Sequence, residues 1–310
     1  MPSVICRVDE GLGLEPAVDE EESVQAVLEA SRLGINFFDT SPFYGCTRSE
    51  TVLGRALSLL HRDQIVIATK VGRYGDADFD FSEARVFRSV HESMARLQTN
   101  YLDVVQVHDI EFGNLDQIVT ETLPALHKLK VLGLIRAVGI TGLPLSIFRK
   151  VLDRVPVGTV DLVLSYCHYN LLDSTLEEVV PYLQSKGVGI VNASILGMGL
   201  LTPQGPPAWH PAGPELRRAA ALAQRVAEEH HVPLTSLCVE FAVPNPAIAC
   251  SLVGLATRQH VQAAVVSALR ALGLQPLLDP AARARVMDAV QAVLRPVQGQ
   301  TWHSGRPENS

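Results

Sequence analysis

The chain has 310 residues, of which 47% are hydrophobic, and its formal net charge at pH 7 is -7. This length accommodates one α/β barrel or two average domains. The mild negative charge argues against non-specific binding to nucleic acid or to an anionic membrane surface. No apolar run approaches the ~20 residues of a membrane-spanning helix, and residues 1–7 lack the apolar core of a secretory signal. We therefore expect an enzyme with no membrane or nucleic-acid partner.

The five cysteines are scattered along the chain and form no Cys-x-x-Cys pair. Such a set is typical of reduced thiols in a cytoplasmic protein rather than of disulfides or a zinc site. Asp109 and Glu111 follow His108 and could suggest metal ligands. A zinc hydrolase barrel usually carries several strand-end histidines, often as His-x-His, and the sequence has no such pair. We therefore predict no metal.

Strand and helix patterns alternate along the whole chain. The predicted strands cover 4–8, 35–38, 65–69, 101–107, 135–140, 160–164, 188–193 and 248–253. The predicted helices cover 19–33, 49–60, 82–97, 115–131, 144–152, 176–186, 215–230, 234–242, 258–272 and 280–294. This alternation favours a parallel sheet. The sequence thus predicts one (β/α)8 TIM barrel domain over residues 1–310, with a weak first strand and a C-terminal helix.

Polar side chains stand where four of these strands end. Asp39 and Tyr44 follow the second strand, and Lys70, His108 and Thr141 end the next three. Barrel active sites lie at the C-terminal ends of the strands, so these groups are expected to meet at one mouth. Taken singly, each is better explained by a turn, a solvated strand end, a structural histidine or a loop aromatic. Their combination favours catalysis.

The order of Asp39, Tyr44, Lys70 and His108, with the words Ala-Thr-Lys and Val-Gln-Val-His before the last two, resembles the aldo-keto reductase family. Longer phrases resemble the plant and animal L-galactose dehydrogenases within it; they cover 36–42, 108–113, 139–145, 164–169 and 205–212. The resemblance extends over about 18–304. Residues 1–18 do not match the Gly-rich first strand of the family, so we expect that strand to be atypical or incomplete.

The resemblance implies an oxidoreductase that transfers hydride from C1 of L-galactose to NAD, giving L-galactono-lactone on the route to ascorbate. Tyr44 would take the hydroxyl proton, and a phenol titrating near pH ~10 needs a neighbouring cation to do so. Lys70 would supply that cation and Asp39 would hold it charged. His108 would hydrogen-bond the reacting oxygen.

The sequence contains neither GxGxxG nor a P-loop, so cofactor phosphates must be held by late-strand loops and helix N-termini. By resemblance, the cofactor contacts are Thr141, Tyr166, Ser194, Leu196, Gly197, Gly254, Arg258 and His260. His260 stands at the position of the basic residue that binds the 2′-phosphate of NADP in relatives, which favours NAD. Arg258 lies close enough to keep NADP possible. Asp109, His168 and Trp209 are candidates for the sugar site.

Other functions remain open. They are a general NADPH-dependent carbonyl reductase, a nucleotide-binding regulatory subunit like the potassium-channel β proteins, and a catalytically impaired isoform suggested by the unusual N-terminus. The expected partner is a small sugar, and the expected assembly is a monomer or homodimer.

Overall fold

The computed structural model describes residues 3–7, 19–277 and 279–303. The strands are β1 Ser3–Arg7, β2 Phe37–Asp39, β3 Val66–Val71, β4 Leu102–Val107, β5 Ile135–Gly142, β6 Leu162–Tyr166, β7 Gly189–Ala193 and β8 Cys250–Gly254. The helices are α1 Glu20–Arg32, α2 Arg48–Leu57, α3 Glu83–Arg96, α4 Leu115–Gln117, α5 Leu123–Val131, α6 Leu145–Leu152, α7 Leu176–Ser185, α8 Pro214–Glu229, α9 Leu234–Ala242, α10 Arg258–Ala271 and α11 Pro280–Leu294. The predicted alternation is confirmed.

The strands form a closed parallel barrel in sequence order, with β1 beside β8. The first strand is present and pairs on both sides within the barrel. It pairs with β8 over five residues but with β2 over only two, Cys6 and Arg7. The last residue of the predicted first strand, Val8, and the segment that follows it lie outside the described residues.

Local sequence signals fix the ends of α1. The side chain of Asp19 accepts hydrogen bonds from the backbone N–H groups of Glu21 at 3.0 Å and Glu22 at 3.2 Å. This satisfies two of the N–H groups that a helix start leaves open, and the acidic first turn complements the positive end of the helix dipole. Gly34 follows the helix with φ +94°, a conformation that glycine adopts without steric cost.

The predicted helix over 115–131 is not continuous. It consists of α4, a π-helical turn Ile118–Thr122 and α5. Pro124 has no N–H and therefore cannot make the bond to the carbonyl four residues earlier, which favours a local change of helical pitch. The hydroxyl of Thr122 in this turn donates to the backbone carbonyl of Phe81. The irregular turn thereby anchors the segment beside the start of α3.

The two sides of the barrel interior differ in polarity. The register places Lys70 opposite Gln106, and this row continues across the sheet to Leu162. The same face carries an apolar cluster on β6 to β8, made of Leu164, Val191, Ala193, Cys250 and Leu252. The buried polar groups are therefore concentrated on the β2 to β4 side.

Gly54 allows α2 to pack against the end of α3. A Cβ at this position would lie 2.1 Å from the carbonyl oxygen of Arg96 and 2.9 Å from the Cα of Leu97. Because backbone atoms must move to relieve this overlap, we expect Gly54→Ala to lower the free energy of unfolding by about 2 kcal/mol in urea titrations. Gly189→Ala is the control, since its Cβ would make only ordinary contacts at 3.5 Å and beyond. Equal effects of the two changes would contradict the packing argument.

Candidate active site

Asp39 and Lys70 form a buried ion pair at the ends of β2 and β3. The Nζ atom of Lys70 lies 2.5 Å from Oδ1 of Asp39, and both side chains are 1% exposed. Lys70 also donates to the backbone carbonyl of Thr40 at 2.8 Å. A buried ammonium is tolerated only when it is paired and hydrogen-bonded in this way. The arrangement fixes a positive charge at the mouth of the barrel.

Tyr44 and His108 complete a compact cluster around this charge. The Lys70 ammonium lies 4.8 Å from the centre of the Tyr44 ring. The rings of Tyr44 and His108 meet edge to face with centroids 5.7 Å apart. We call Asp39, Tyr44, Lys70 and His108 the buried cluster. The structure thus brings together the four residues that the sequence proposed for catalysis.

The loop that carries Tyr44 is tightly constrained. Gly45, Cys46 and Thr47 all have positive φ, and the last two are not glycines. Such conformations cost free energy and persist only when the surroundings enforce them. The backbone N–H of Thr47 donates to the carbonyl of Pro42 at 2.8 Å, which closes the turn around Tyr44. The phenol is therefore held by a rigid segment.

His108 lies between a hydroxyl and a carboxylate. Its Nδ1 is 3.2 Å from Oγ of Ser41, and its Nε2 is 3.7 Å from Oδ2 of Asp109. Asp109 also pairs with Arg73 at 2.5 Å. Burial alone would raise the pKa of Asp109, but the charges of His108 and Arg73 outweigh it and hold that pKa below its ordinary value. A carboxylate thus faces the imidazole.

Two further polar residues of the site were missed in the sequence. Gln106 donates from Nε2 to Oδ2 of Asp39 at 2.9 Å, so both oxygens of that carboxylate have partners. Arg73 lies with its guanidinium 3.8 Å from the centre of the Phe43 ring. Gln106 precedes His108 by two positions and therefore shares its face of β4, a signal that the strand period provides. Arg73 lies in a loop and carries no such signal.

Thr141 and Tyr166 lie beside the cluster with partners of their own. The hydroxyl of Thr141 accepts from the backbone N–H of Asp109 at 2.8 Å. The phenol of Tyr166 donates to Oε1 of Glu111 at 3.5 Å. Burial first, and then the charges of Asp109 and Glu111, raise the pKa of Tyr166 well above its ordinary value. The phenol of Tyr166 therefore stays protonated.

A cavity of about 250 Å³ opens beyond β7 and β8. Three of the proposed cofactor contacts, Leu196, Gly254 and His260, line it. Ser194 and Gly197 form the tight turn that leads to it, with the N–H of Gly197 donating to the carbonyl of Ser194 at 2.8 Å. The described residues that line the cavity include small side chains and no carboxylate, which suits an anionic nucleotide.

The remaining candidates take other positions. Arg258 begins α10 and pairs with Glu22 at 2.9 Å. In the loop after β6, Nδ1 of His168 lies 2.8 Å from Oδ2 of Asp173. Trp209 is 47% exposed and its ring stacks on that of His210. Among the three substrate candidates, Asp109 is the one whose contact with a member of the buried cluster, His108, is described.

Neither a metal site nor a membrane span is found in the described part of the chain. No group of three or more His, Cys, Asp or Glu side chains there could hold a metal ion. No helix in residues 19–277 or 279–303 is long and apolar enough to cross a membrane.

Comparison with known proteins identifies the family. A model of the aldo/keto reductase family matches residues 11–272. The L-galactose dehydrogenase of Arabidopsis thaliana is 50% identical over 296 residues, which cover 94% of this chain and 90% of that protein. The D-arabinose 1-dehydrogenase of Saccharomyces cerevisiae is 39% identical over 239 residues, covering 73% and 70%. The structure of an aldo-keto reductase from Bacillus halodurans, in its holo form, matches with a TM-score of 0.72 at 25% identity, covering 99% of this chain and 95% of that one.

The closed barrel and its buried polar mouth are those of an oxidoreductase that handles carbonyl and hydroxyl groups. The chain belongs to the aldo/keto reductase family. Enzymes of this family use a nicotinamide cofactor.

Gln106 offers a test of the pairing at Asp39. Gln106→Leu keeps the size of the side chain but leaves Oδ2 of a buried carboxylate without its donor. We expect the free energy of unfolding in urea to fall by about 1.5–3 kcal/mol. Ser165→Ala is the control, because this buried hydroxyl makes no hydrogen bond within the described chain. A loss at Gln106 no larger than the control would show that the hydrogen bond is unimportant.

Asp109 should make stability depend on pH. Its pKa is lower in the folded chain than in the unfolded one, so its carboxylate stabilises the fold above about pH 4 and this contribution is lost as the pH falls through the folded-state value. Asp109→Asn removes the contribution. We expect the difference in free energy of unfolding between wild type and variant to shrink in urea titrations below about pH 4.

Asp116→Asn is the matched control, since the Asp116 side chain is 81% exposed. Its difference from wild type should be small at every pH. A wild-type advantage at Asp109 that grew in acid would mean that burial, and not the neighbouring cations, controls this carboxylate.

Proposed function

We propose that this chain is an aldose 1-dehydrogenase that oxidises C1 of L-galactose with NAD, giving L-galactono-lactone. The observation that carries the proposal is the 50% identity with the Arabidopsis L-galactose dehydrogenase over 94% of the chain. The similarity to a D-arabinose 1-dehydrogenase supports the same reaction on an aldose. A place in ascorbate biosynthesis, a single domain, a cytoplasmic location and a monomeric or dimeric state stay parts of this proposal.

The proposed reaction removes a hydride and a proton from the sugar. A bound nicotinamide cofactor would supply the acceptor for the hydride from C1. Tyr44 takes the proton of the C1 hydroxyl, and the buried Lys70 ammonium, 4.8 Å from its ring centre, stabilises the phenolate that does so. Asp39 keeps Lys70 charged and in place through the 2.5 Å contact. Both charges are fixed before substrate arrives, so little reorganisation is needed during the reaction.

Tyr44 is a better base than Tyr166, the other phenol near the mouth. The pKa of Tyr166 is raised well above its ordinary value by burial and by two carboxylates. Tyr44 instead has the Lys70 ammonium beside its ring, 4.8 Å from the ring centre. The difference in neighbouring charge supports the assignment of the proton transfer to Tyr44.

His108 is proposed to donate a hydrogen bond to the reacting oxygen. Oγ of Ser41 already accepts from the backbone N–H of Phe43 at 3.1 Å, so its own proton is available for Nδ1 of His108 at 3.2 Å. A neutral imidazole that accepts at Nδ1 carries its proton on Nε2, and the charged imidazole that lowers the pKa of Asp109 carries a proton there as well. Nε2 is the nitrogen on the Asp109 side. Ser41 thus supports the tautomer that this role needs.

NAD is proposed as the cofactor, held by the loop at Ser194 and Gly197 and by the cavity that Leu196, Gly254 and His260 line. Thr141 is proposed to act chiefly through Asp109, since its hydroxyl already contacts that residue. Arg258 is engaged by Glu22. This leaves the general NADPH-dependent carbonyl reductase as the second candidate.

The direct test is NADH formation, followed by absorbance, with purified protein. Wells contain L-galactose, D-galactose or D-arabinose with either NAD or NADP. Turnover with L-galactose and NAD well above the other combinations is expected. Faster reduction of simple aldehydes by NADPH would instead support the general reductase. Folded protein that binds NAD but turns over nothing would support the regulatory or impaired form.

Tyr44→Phe tests the base. Removal of the phenol oxygen should lower kcat by about 10²-fold or more, while the affinity for NAD, measured by fluorescence quenching, changes little. Tyr182→Phe is the control, because this phenol donates to Asp153 on the outer surface at 2.8 Å. Wild-type turnover in Tyr44→Phe would exclude the phenol as the proton acceptor.

A further inference from the structure

The start of α10 is occupied by a carboxylate from another part of the chain. Glu22, in the first turn of α1, accepts a hydrogen bond from the backbone N–H of Arg258 at 3.0 Å. Its other oxygen accepts from Nη2 of Arg258 at 2.9 Å. Hydrogen bonds from Arg258 hold the pKa of Glu22 below its ordinary value, so this group is charged at neutral pH. The Glu22 carboxylate therefore binds both the backbone N–H of Arg258 at the start of α10 and the guanidinium of the same residue.

This contact stands beside the cavity that the proposed function gives to the nucleotide. Leu255 and His260 flank the start of α10 in the chain, and both line that cavity. In a barrel, phosphates are commonly held by the loops after the last two strands and by a helix N-terminus. A phosphate on the adenosine ribose would need free N–H donors and an unpaired cation. Arg258, the first residue of α10, is already paired with Glu22.

We propose that Glu22 is a specificity-determining residue that excludes a 2′-phosphate and so selects NAD over NADP. The inference rests on the proposed function, since it assumes that the adenosine end lies in this cavity. Glu22 acts in two ways. It occupies the backbone N–H of Arg258, and it neutralises the guanidinium that a phosphate would otherwise pair with.

A purely structural role for this ion pair is the plain alternative. The two helices are also joined by Glu29, which accepts from Gln262 at 2.8 Å. Glu29 lies two turns further along α1 and makes no contact with the backbone at the helix start. If Glu22 merely ties α1 to α10, then loss of either carboxylate should have the same consequences. If Glu22 selects the cofactor, only its own loss should change nucleotide preference.

The experiment measures binding of 2′,5′-ADP and 5′-ADP by calorimetry, which needs no sugar turnover. Glu22→Gln removes the charge, and Glu22→Ala removes the charge and the acceptor. We expect the affinity for 2′,5′-ADP to rise about threefold in the first variant and about tenfold in the second, with 5′-ADP changed less than about twofold. The ratio of kcat/KM for NADP to that for NAD should rise in the same order.

Two controls separate the outcomes. Glu29→Gln should leave both ADP affinities unchanged, and Arg258→Ala added to Glu22→Ala should remove the gain for 2′,5′-ADP. Wild-type-like preference in both Glu22 variants, from protein that still binds 5′-ADP, would overturn the inference and leave the proposed function intact. Failure of the wild type to bind 5′-ADP and NAD would overturn both.

Discussion

The buried pair of Lys70 and Asp39 is the interaction on which the site depends. An ammonium and a carboxylate that are each 1% exposed persist only if nearly every donor and acceptor is satisfied. Here Oδ1 of Asp39 faces Lys70, Oδ2 faces Gln106, and Lys70 also reaches the carbonyl of Thr40. These partners come from three adjacent strands. The barrel register is therefore part of the chemistry, because a shift of one residue would turn these side chains outward.

A second layer of charge surrounds the first. Asp109 faces His108 and is neutralised by Arg73, whose guanidinium packs on the ring of Phe43. Phe43 directly precedes Tyr44, and the turn that follows contains three residues with positive φ. The proposed base and the proposed hydrogen-bond donor are thus fixed by the same group of contacts. This arrangement explains how a polar site can be rigid at the end of an apolar barrel.

The two ends of the proposed cofactor site differ in physical character. At the mouth, charges are buried and paired within the barrel, where water screens them little. At the start of α10, the pair of Glu22 and Arg258 is exposed to solvent, with 26% and 56% of the side chains accessible. Under the proposed placement of the cofactor, a change there alters recognition of the adenosine end without disturbing the buried cluster. Specificity for the cofactor can therefore vary independently of the chemistry on the sugar.

The sequence alone predicted the strands, most of the helices and the four residues that meet in the buried cluster. The apolar periods, the cap at Asp19 and the polar groups at strand ends are local signals, and local signals can be read from the chain. Because side chains alternate along a strand, the sequence also indicated that Gln106 faces the same way as His108. The π-helical turn before α5 was missed, although Pro124 lies in the interior of the helix predicted over 115–131 and its missing N–H argues against a continuous helix there.

Only the tertiary structure decided which distant groups meet. Gln106 reaches Asp39 across 67 positions, and Arg258 reaches Glu22 across 236. Arg73 pairs with Asp109 from a loop, where no alternation of side chains indicates which way a residue points. These contacts depend on strand register, on loop paths and on the closure that places α1 beside α10, and none of these quantities is encoded in a short stretch of residues. The sequence supplied the polar groups of the buried cluster, and the closed barrel decided how each is held.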